Sequence, residues 1–490
     1  MPNFHLSHGT KKVKRYAVPF GITKHLIKQG TRLGAFPQKS DFTEYFMKRV
    51  KSFILLIFLT FNFEAFSKIS QREIDDTISK TINYLVNIQV NETVGTKQFK
   101  GEWGSIIEFR GKVLVAPFEK GYSVYDSNCF TTASTFVSLA EIYLNYYRSE
   151  KLVKMLQLAL TDVMACEKEG TFGFWHEVEL PSFLHEPGKI NVIRGPNHLT
   201  FDNRLLFMAM NIFNDADDTA VAYLAISMAK QIESSVHNFI APDFPLPFVG
   251  ETFQKYRDVN RFSLNIHDRI TLRPMNTGAF MTWFGAESFF PKFPSSKKVN
   301  IPFSGINNVD CVVNANVLTS LHATGELDTT VGVGESCEYV NKSIKKWNRN
   351  RCAAFYPNKY SFPYSLSRAI NRGVMCLEKS KDYTIKLLLK EQRRDGSWSS
   401  FRRKDDLIHS TALAVNSLIY LFDQKLETKN AINRGLKFLL SNKSISNNEI
   451  FWKGGILFSG GTVLKNRIVW KSNAYTTSLV LKALIKTREL

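Results

Sequence analysis

The stretch Gln392-Arg393-Arg394-Asp395-Gly396-Ser397-Trp398 links a Gln to a Trp through a Gly and directly follows a segment with the spacing of an amphipathic helix. Glycine adopts the left-handed backbone conformation that commonly ends a helix. The Trp side chain can then fold back onto the Gln and the helix end. We interpret this stretch as a device that ties an outer helix to its loop. Looser copies are Gln89 with Gly101-Glu102-Trp103, and Cys166 with Gly173-Phe174-Trp175.

Two kinds of helical segment alternate around these stretches. Segments with one apolar and one charged face are typical of outer helices; they are residues 74–88, 151–166, 383–392 and 430–440. Segments rich in small and apolar residues permit close packing and are typical of inner helices; they are residues 128–146, 217–229, 276–284, 309–321, 407–422 and 474–485. Strand-like alternation is confined to short pieces near 113–115. The sequence therefore predicts an all-α fold, a single (α/α)6 toroid of alternating outer and inner helices.

Composition excludes an intrinsically disordered chain, a collagen-like repeat and a disulfide-dense miniprotein. The 490 residues include 64 Lys and Arg against 44 Asp and Glu, and 44% are hydrophobic, which is ample for a large core. The net charge of +20 could attract a membrane surface. No block of basic residues with interleaved aromatics is present in the body, so we expect no nucleic-acid partner. The six cysteines form no C-x-x-C pairs and indicate neither a zinc site nor a disulfide framework, although an even number permits disulfides.

The first 67 residues contain a targeting pattern. Met47-Lys48-Arg49-Val50-Lys51 is basic, residues 53–61 are almost wholly apolar, and Ala65-Phe66-Ser67 offers the small residues that a signal peptidase reads. The apolar run is shorter than the roughly 20 residues that span a bilayer. We therefore expect residues 47–67 to be a signal peptide, 1–46 to be basic and either disordered or not translated, and 68–490 to form the toroid domain. With translation from Met47 the protein would be exported, either periplasmic or secreted.

The most specific chemical signal is Asn214-Asp215-Ala216-Asp217-Asp218-Thr219-Ala220-Val221. Crowded carboxyl groups allow one of them to hold a proton while its neighbours orient it. Three acids at the start of a helix can equally cap free amides and complement the helix dipole. A similar string, Glu73-Ile74-Asp75-Asp76-Thr77, arises on an ordinary amphipathic helix. Catalysis and helix capping both stay open for Asp215, Asp217 and Asp218.

This acidic motif and the Gln-to-Trp stretches resemble the superfamily of terpenoid cyclases and protein prenyltransferases. The acidic motif is most similar to that of class II terpene cyclases of the squalene–hopene cyclase type, and the stretch at 392–398 to the prenyltransferase/squalene oxidase repeat. The resemblance implies an isomerase or lyase that starts the cyclisation of an isoprenoid by protonation. Asp217 would be the acid and Asp215 and Asp218 its supports. A hydrophobic small-molecule substrate is implied, and no cofactor.

A carbocation also needs aromatic walls, which stabilise it and exclude water. Trp283 and Phe284, on the predicted inner helix 276–284, are the candidate substrate-binding residues. Taken alone, either aromatic residue is more often explained by ordinary core packing. His409, on another predicted inner helix, is the third candidate because it could hydrogen-bond the acids.

A zinc-dependent prenyltransferase site is not predicted. Asp310 and Cys311 are adjacent, and neighbouring residues on a helix point about 100° apart. Asp310 and Asn314 are expected instead to be polar groups of a central pocket. No metal ion is predicted.

Two other functions stay open. An exported (α/α)6 toroid can be a carbohydrate-active enzyme in which two carboxyl groups flank a sugar, and Asp217 with Glu177 or Glu102 could serve. A non-catalytic toroid that binds a lipid, glycan or protein is the third reading. An acid beside a deep, dry, aromatic cavity would favour the cyclase, and an open groove with two facing carboxyl groups would favour the glycosidase.

Overall fold

The computed structural model describes residues 71–111, 119–189, 191–199, 204, 211–246, 249–260, 274–284, 308–347, 352–400, 406–460 and 467–489. These residues belong to one unit, Ile69–Leu490. The signal peptide at 47–67, the basic stretch 1–46 and the strand prediction near 113–115 lie outside the described residues. In the described part, no helix combines the length and the apolar character needed to cross a membrane.

Most of the regular structure is helical. Across the described residues there are twelve α-helices: α1 Gln71–Asn87, α2 Cys129–Asn145, α3 Glu150–Ala165, α4 Ala216–Glu233, α5 Val249–Lys255, α6 Cys311–Thr324, α7 Val333–Ile344, α8 Ser361–Asn371, α9 Lys381–Glu391, α10 Leu407–Tyr420, α11 Leu426–Ser441 and α12 Asn473–Lys486. Short 3-10 helices are Ser182–Leu184, Met375–Ser380 and Thr487–Glu489. The prediction of a mainly helical protein is confirmed.

Six of these helices, α2, α4, α6, α8, α10 and α12, are buried over most of their length. Each packs against the next one along the chain, and α12 returns to pack against α2. Small residues such as Ala220, Ala222 and Ala225 on α4 permit this close approach. The amphipathic helices α1, α3, α7 and α11 pack against α12, α2, α6 and α10, respectively. The inner helices therefore follow one another around a closed cycle with outer helices beside them.

Three tryptophans join outer helices to inner ones in the same way. In each case the indole N–H donates to a carbonyl near the end of an outer helix, and the backbone N–H donates to a Thr hydroxyl near the start of an inner helix. The sets are Trp103 with Leu85 and Thr132, Trp398 with Leu388 and Thr411, and Trp452 with Leu439 and Thr477. The predicted role of Trp103 and Trp398 is confirmed. Trp452 was not recognised from the sequence.

The glutamines of these stretches link neighbouring outer helices. The Gln392 amide donates to the carbonyls of Gly396, at 3.0 Å, and of Ala431 on α11, at 2.8 Å. Gln89 does the same with Gly101 and with Met155 on α3. The second looser copy differs, because the Trp175 indole donates to the Asp126 carboxylate instead of a helix end.

Small antiparallel sheets supplement the helices. A four-stranded sheet has the order β2-β1-β10-β9, built from β1 Ser105–Phe109, β2 Ser123–Asp126, β9 Ile456–Ser459 and β10 Ile468–Lys471. Two-stranded sheets pair β3 Glu167–Lys168 with β4 Thr171–Phe172, β5 Glu177–Glu179 with β6 Val192–Arg194, and β7 Ser444–Ser446 with β8 Glu449–Phe451. The sheet order places β1 beside β10, so it joins the beginning of the helical domain to its end.

All six cysteines form disulfides, Cys129–Cys166, Cys311–Cys352 and Cys337–Cys376. The even number of cysteines left disulfides open, and the structure pairs all of them. The paired residues are 37 to 41 positions apart, and each bond joins separate elements, so no local cysteine motif marks them.

The prediction of an inner helix over 276–284 is also wrong. Asn276 has φ 56° and Gly278 has φ 75°, which interrupt a helix, and residues 280 and 283 form single antiparallel bridges with Arg257 and Asp215. The inner position missing from the prediction belongs to α8. Its Pro363 lies in the first turn, where a missing backbone N–H costs no helical hydrogen bond.

Candidate active site

The acidic motif lies where α4 begins. Asp215 is the N-cap residue, and its Oδ1 accepts hydrogen bonds of 2.8 Å from the backbone N–H groups of Asp217 and Asp218. Capping therefore accounts for Asp215. It does not account for the other two side chains, because Asp217 and Asp218 are each only 4% exposed and lie in the protein interior.

Asp217 is held by two side chains from other elements. Its Oδ1 accepts a 2.7 Å hydrogen bond from the Asn316 amide on α6, and its Oδ2 accepts one from the Tyr356 hydroxyl in the loop before α8. The Asn316 carbonyl in turn accepts from the Arg368 guanidinium on α8, at 2.8 Å. Four side chains from four segments therefore form one buried hydrogen-bonded row.

Burial shifts the acidity of all three aspartates. It raises the pKa of Asp217 to about 6, although the hydrogen bonds from Tyr356 and Asn316 lower it in part. Burial and the neighbouring Asp217 carboxylate raise the pKa of Asp215 to about 8. Burial and both neighbours raise the pKa of Asp218 well above its ordinary value. The cluster therefore retains protons at neutral pH.

A central cavity lies beside this row. All six inner helices contribute to its wall, together with β9 and the loop before α8. The lining residues are Phe130, Ser134, Val221, Asn316, Tyr356, Ser361, Tyr364, Ser365, Arg368, His409, Leu413, Leu457 and Tyr475. The centres of water molecules can occupy about 30 Å³ of it, and one water needs about 10–15 Å³. Asp217 reaches the cavity wall through its two hydrogen-bond partners.

A second buried cluster, which we call the lysine cluster, contains Glu141, Tyr420, Lys482 and Lys486. Glu141 lies 2.9 Å from Lys486 Nζ and 3.5 Å from Lys482 Nζ, and it accepts a 2.5 Å hydrogen bond from Tyr420. Burial alone would raise the pKa of Glu141, but the two lysines hold it well below its usual range. Lys482 also donates to the hydroxyl of Tyr364, a cavity residue, at 2.9 Å.

The structure separates the three candidate substrate-binding residues. His409 lines the cavity, with its Nδ1 2.9 Å from the Thr476 hydroxyl, and burial lowers its pKa to about 3. Trp283 is buried against Phe355 and pairs through its backbone with Asp215. Phe284 is half-buried, and its ring contacts Tyr256 and Phe253. Neither Trp283 nor Phe284 is among the described residues that line the cavity.

Two polar residues expected in the central pocket have structural contacts instead. Asp310 caps α6 by accepting from the N–H groups of Val312 and Val313. Asn314 binds the backbone N–H and carbonyl of Phe280. The expectation that they are pocket groups is wrong, because α6 turns Asn316, not Asn314, towards the cavity.

Sequence reasoning missed Asn316, Tyr356 and Arg368 as functional residues. Asn316 and Arg368 are polar residues within buried helices, which is an unusual pattern and the available signal. Tyr356 lies in the loop before α8, and no sequence motif marks this loop as part of a site.

The glycosidase candidates lie elsewhere. Glu102 is buried and accepts hydrogen bonds from Tyr125 and Ser127. Glu177 is on the surface between Lys168 and Arg194. Neither is among the described residues that line the cavity.

No protein-family model matches the chain, and no curated protein matches it. Solved structures similar to it include the type II terpene cyclase MstE from Scytonema, at 12% identity and TM-score 0.49, with 85% of this chain and 99% of that one covered. Another MstE structure contains its substrate, geranylgeranyl dihydroxybenzoate. The ent-copalyl diphosphate synthase from Streptomyces platensis matches at 14% identity and TM-score 0.41, covering 73% and 50% of the two chains.

A possible member of the GH105 family from Salmonella enterica subsp. enterica serovar Paratyphi A matches at 11% identity and TM-score 0.46, covering 87% and 96% of the two chains. The similar structures thus include the class of enzyme that the acidic motif resembles. At these identities and scores the likeness concerns the helical fold and assigns no activity.

Proposed function

We propose that the protein is a class II terpene cyclase-like enzyme, in which Asp217 starts the cyclisation of an isoprenoid by protonation. The observation that carries the proposal is the position of Asp217. Its carboxyl group is buried, and both of its hydrogen-bond partners, Asn316 and Tyr356, line the central cavity. The cyclic order of the six inner helices supports the further proposal that the domain is a single (α/α)6 toroid.

The proposed reaction is an isomerisation that needs no co-reactant. The O–H bond of protonated Asp217 breaks and a C–H bond forms at one alkene carbon, which leaves a carbocation on the other. Further alkenes attack this centre, so each π bond becomes a ring σ bond. Loss of a proton from carbon then regenerates an alkene, and the proton returns to the protein.

The electrostatics of the cluster support the role of proton donor. An alkene is a weak base, so the donor must be a carboxylic acid that carries its proton at the working pH. Asp217 does so below a pKa of about 6, and Asp215 does so up to about 8. Asp217 is the better placed of the two, because Asp215 is bound to the backbone of its own helix. We expect the rate to fall as pH rises through about 6.

The cavity wall favours an isoprenoid with a polar or anionic end. Rings of Phe130, Tyr364 and Tyr475 supply aromatic surface. Arg368 is buried, and no acceptor among the described residues reaches its Nε–H group. A carboxylate or similar group of the substrate would satisfy that donor. The cavity is narrow, so an isoprenoid requires the lining side chains to move apart.

Export from the cytoplasm is a further part of the proposal. Stable disulfides are typical of oxidising compartments, and all six cysteines are paired. This supports a signal peptide at residues 47–67. Cell fractionation of a protein translated from Met47, with detection of the cleaved chain, tests it.

The reaction is tested with purified protein, squalene and geranylgeranoic acid, and products are identified by gas chromatography with mass spectrometry. We expect a cyclised isomer, formed faster from the acid, and a loss of at least ~100-fold in rate for Asp217→Asn. Asp76→Asn is the matched control, because Asp76 belongs to the similar string on α1 and pairs with Lys80 at the surface.

Absence of a cyclised isomer from the folded wild-type protein, with both substrates present, would contradict the cyclase proposal. Equal rates for wild type and Asp217→Asn would contradict the role of Asp217.

A further inference from the structure

Three potential metal ligands meet away from the central cavity. Glu102 lies in the loop before β1, Asp162 on α3, and His176 in the loop before β5. One ligand atom from each lies within 4.8 Å of the other two. All three residues are buried, with exposed fractions of 0%, 1% and 4%. Their distances suit ligands that share one metal ion.

The charges of this cluster are poorly balanced by the protein alone. Glu102 and Asp162 are two buried acids whose carboxylate oxygens lie within 4.8 Å of each other. The Nε2 atom of His176 lies 2.8 Å from Asp162 Oδ1. The described residues supply one histidine and no Lys or Arg ion pair to these acids.

One oxygen of the cluster has no hydrogen-bond partner among the described residues. Asp162 Oδ2 is buried, and no donor among the described residues reaches it. A buried carboxylate oxygen without a hydrogen bond is costly unless another group compensates it. This oxygen belongs to Asp162, which lies beside His176 and the second acid, Glu102. A cation bound among them would compensate the oxygen and the charge of the two acids.

We propose that Glu102, Asp162 and His176 bind a Zn²⁺ ion. One imidazole nitrogen and two carboxylate oxygens form a ligand set suited to a borderline divalent metal, and hard cations such as Mg²⁺ use oxygen alone. Tyr125 and Ser127 donate hydrogen bonds to Glu102, which fixes the direction of its carboxylate. No metal is predicted from the sequence, because the three ligands come from separate segments without a spacing motif.

The position of the site indicates a structural role. It connects the loop of Trp103, the outer helix α3 and the loop that leads to β5. It also adjoins the Cys129–Cys166 disulfide, with Cys129 Sγ 3.4 Å from His176 Nε2. None of its three ligands is among the described residues that line the cavity, so the ion would hold this side of the ring together without taking part in protonation.

The test uses the full chain, stripped with a chelator and kept without reductant so that the disulfides stay closed. Equilibrium dialysis against micromolar Zn²⁺, with metal measured by mass spectrometry, is expected to give one ion per chain and a higher melting temperature. Glu102→Gln and Asp162→Asn are expected to weaken binding at least ~100-fold. Glu177→Gln is the matched control, because this surface acid follows His176 directly and is not a proposed ligand.

X-ray absorption of the wild-type complex gives a second measurement that does not depend on variants folding. The proposal expects zinc bonded to nitrogen and oxygen at about 2.0–2.2 Å with no sulfur at about 2.3 Å. Less than one ion per chain after dialysis, equal affinity in folded ligand variants and control, or zinc bonded to sulfur would each overturn it.

Discussion

Buried carboxyl groups have raised pKa values in one region of the ring and a lowered pKa in another. At the start of α4, three carboxyl groups lie together with no ion pair to any Lys or Arg of the described residues, and burial raises the pKa of each. In the lysine cluster, near the other ends of α2 and α12, Glu141 lies between two lysines and its pKa falls. Burial alone therefore does not decide the charge of an acid in this protein. The cations supplied by neighbouring helices decide it.

The difference follows the direction of the inner helices. Acids near helix starts and lysines near helix ends both complement the helix dipoles. One region therefore carries protons that it can give up, whereas the other is a permanent ion pair that supports the structure. Substitutions in the two regions are expected to distinguish the protonated aspartates from the Glu141 ion pair.

The largest expected effect is on the ion pair. Glu141→Gln leaves two buried lysines without their counter-charge, so the free energy of unfolding is expected to fall by about 3–5 kcal/mol. Asp217→Asn is the matched amide substitution in the acidic region, and it removes a charge that burial already disfavours. Its expected change is within about 1.5 kcal/mol in either direction. Urea unfolding at pH 7 measures both, and similar losses for the two variants would contradict the comparison.

A smaller effect is expected on the pH dependence of stability. The pKa of Asp215 is about 8 in the folded state against an ordinary value of 3.8, so folding favours its protonated form. This contribution is fully present at low pH and is lost as pH rises through about 8, at up to about 1.4 kcal/mol per pH unit. Asp215→Asn keeps a residue that caps helices well and cannot ionise.

Unfolding of wild type and Asp215→Asn is measured from pH 6.5 to 8. This window lies above the range in which the lowered pKa of His409 adds a dependence of opposite sign. The wild type is expected to lose stability with rising pH more steeply than the variant. Parallel curves would show that Asp215 is ionised throughout.

The smallest expected effect compares two tyrosines that donate to the acids. Tyr420→Phe removes the hydrogen bond to ionised Glu141 and is expected to cost about 1.5–3 kcal/mol. The hydrogen bond from Tyr356 lowers the pKa of Asp217. Tyr356→Phe removes that bond and is expected to raise the pKa, so the fall in activity should move above pH 6. Tyr420→Phe should leave the pH profile of the rate unchanged, and an equal shift in both variants would contradict the separation of the two regions.

Local patterns predicted much of the helical framework. Five of the six predicted inner helices are present because small and apolar residues mark them along their length. The stretch 276–284 has the same composition, but Asn276 and Gly278 adopt positive φ angles that no composition rule excludes. Helix α8 was missed because Ser361, Pro363 and Ser365 reduce its apolar character.

The site was only partly predictable. The three aspartates are adjacent in sequence, so their proximity and crowding could be read directly. Their partners Asn316 and Tyr356 are 99 and 139 residues away from Asp217. The disulfides and the pairing of β1 with β10 were missed for the same reason, since each depends on segments that only the folded ring brings together.

The pairing of β1 with β10, and of α2 with α12, has a consequence for biosynthesis. Residues 468–486 close the ring and leave the ribosome more than 300 residues after β1 and α2. The nascent chain therefore exposes the side of α2 that contacts α12 while more than 300 further residues are synthesised. A chaperone that shields this face, either at the ribosome or after translocation, would be released only when the final helix docks.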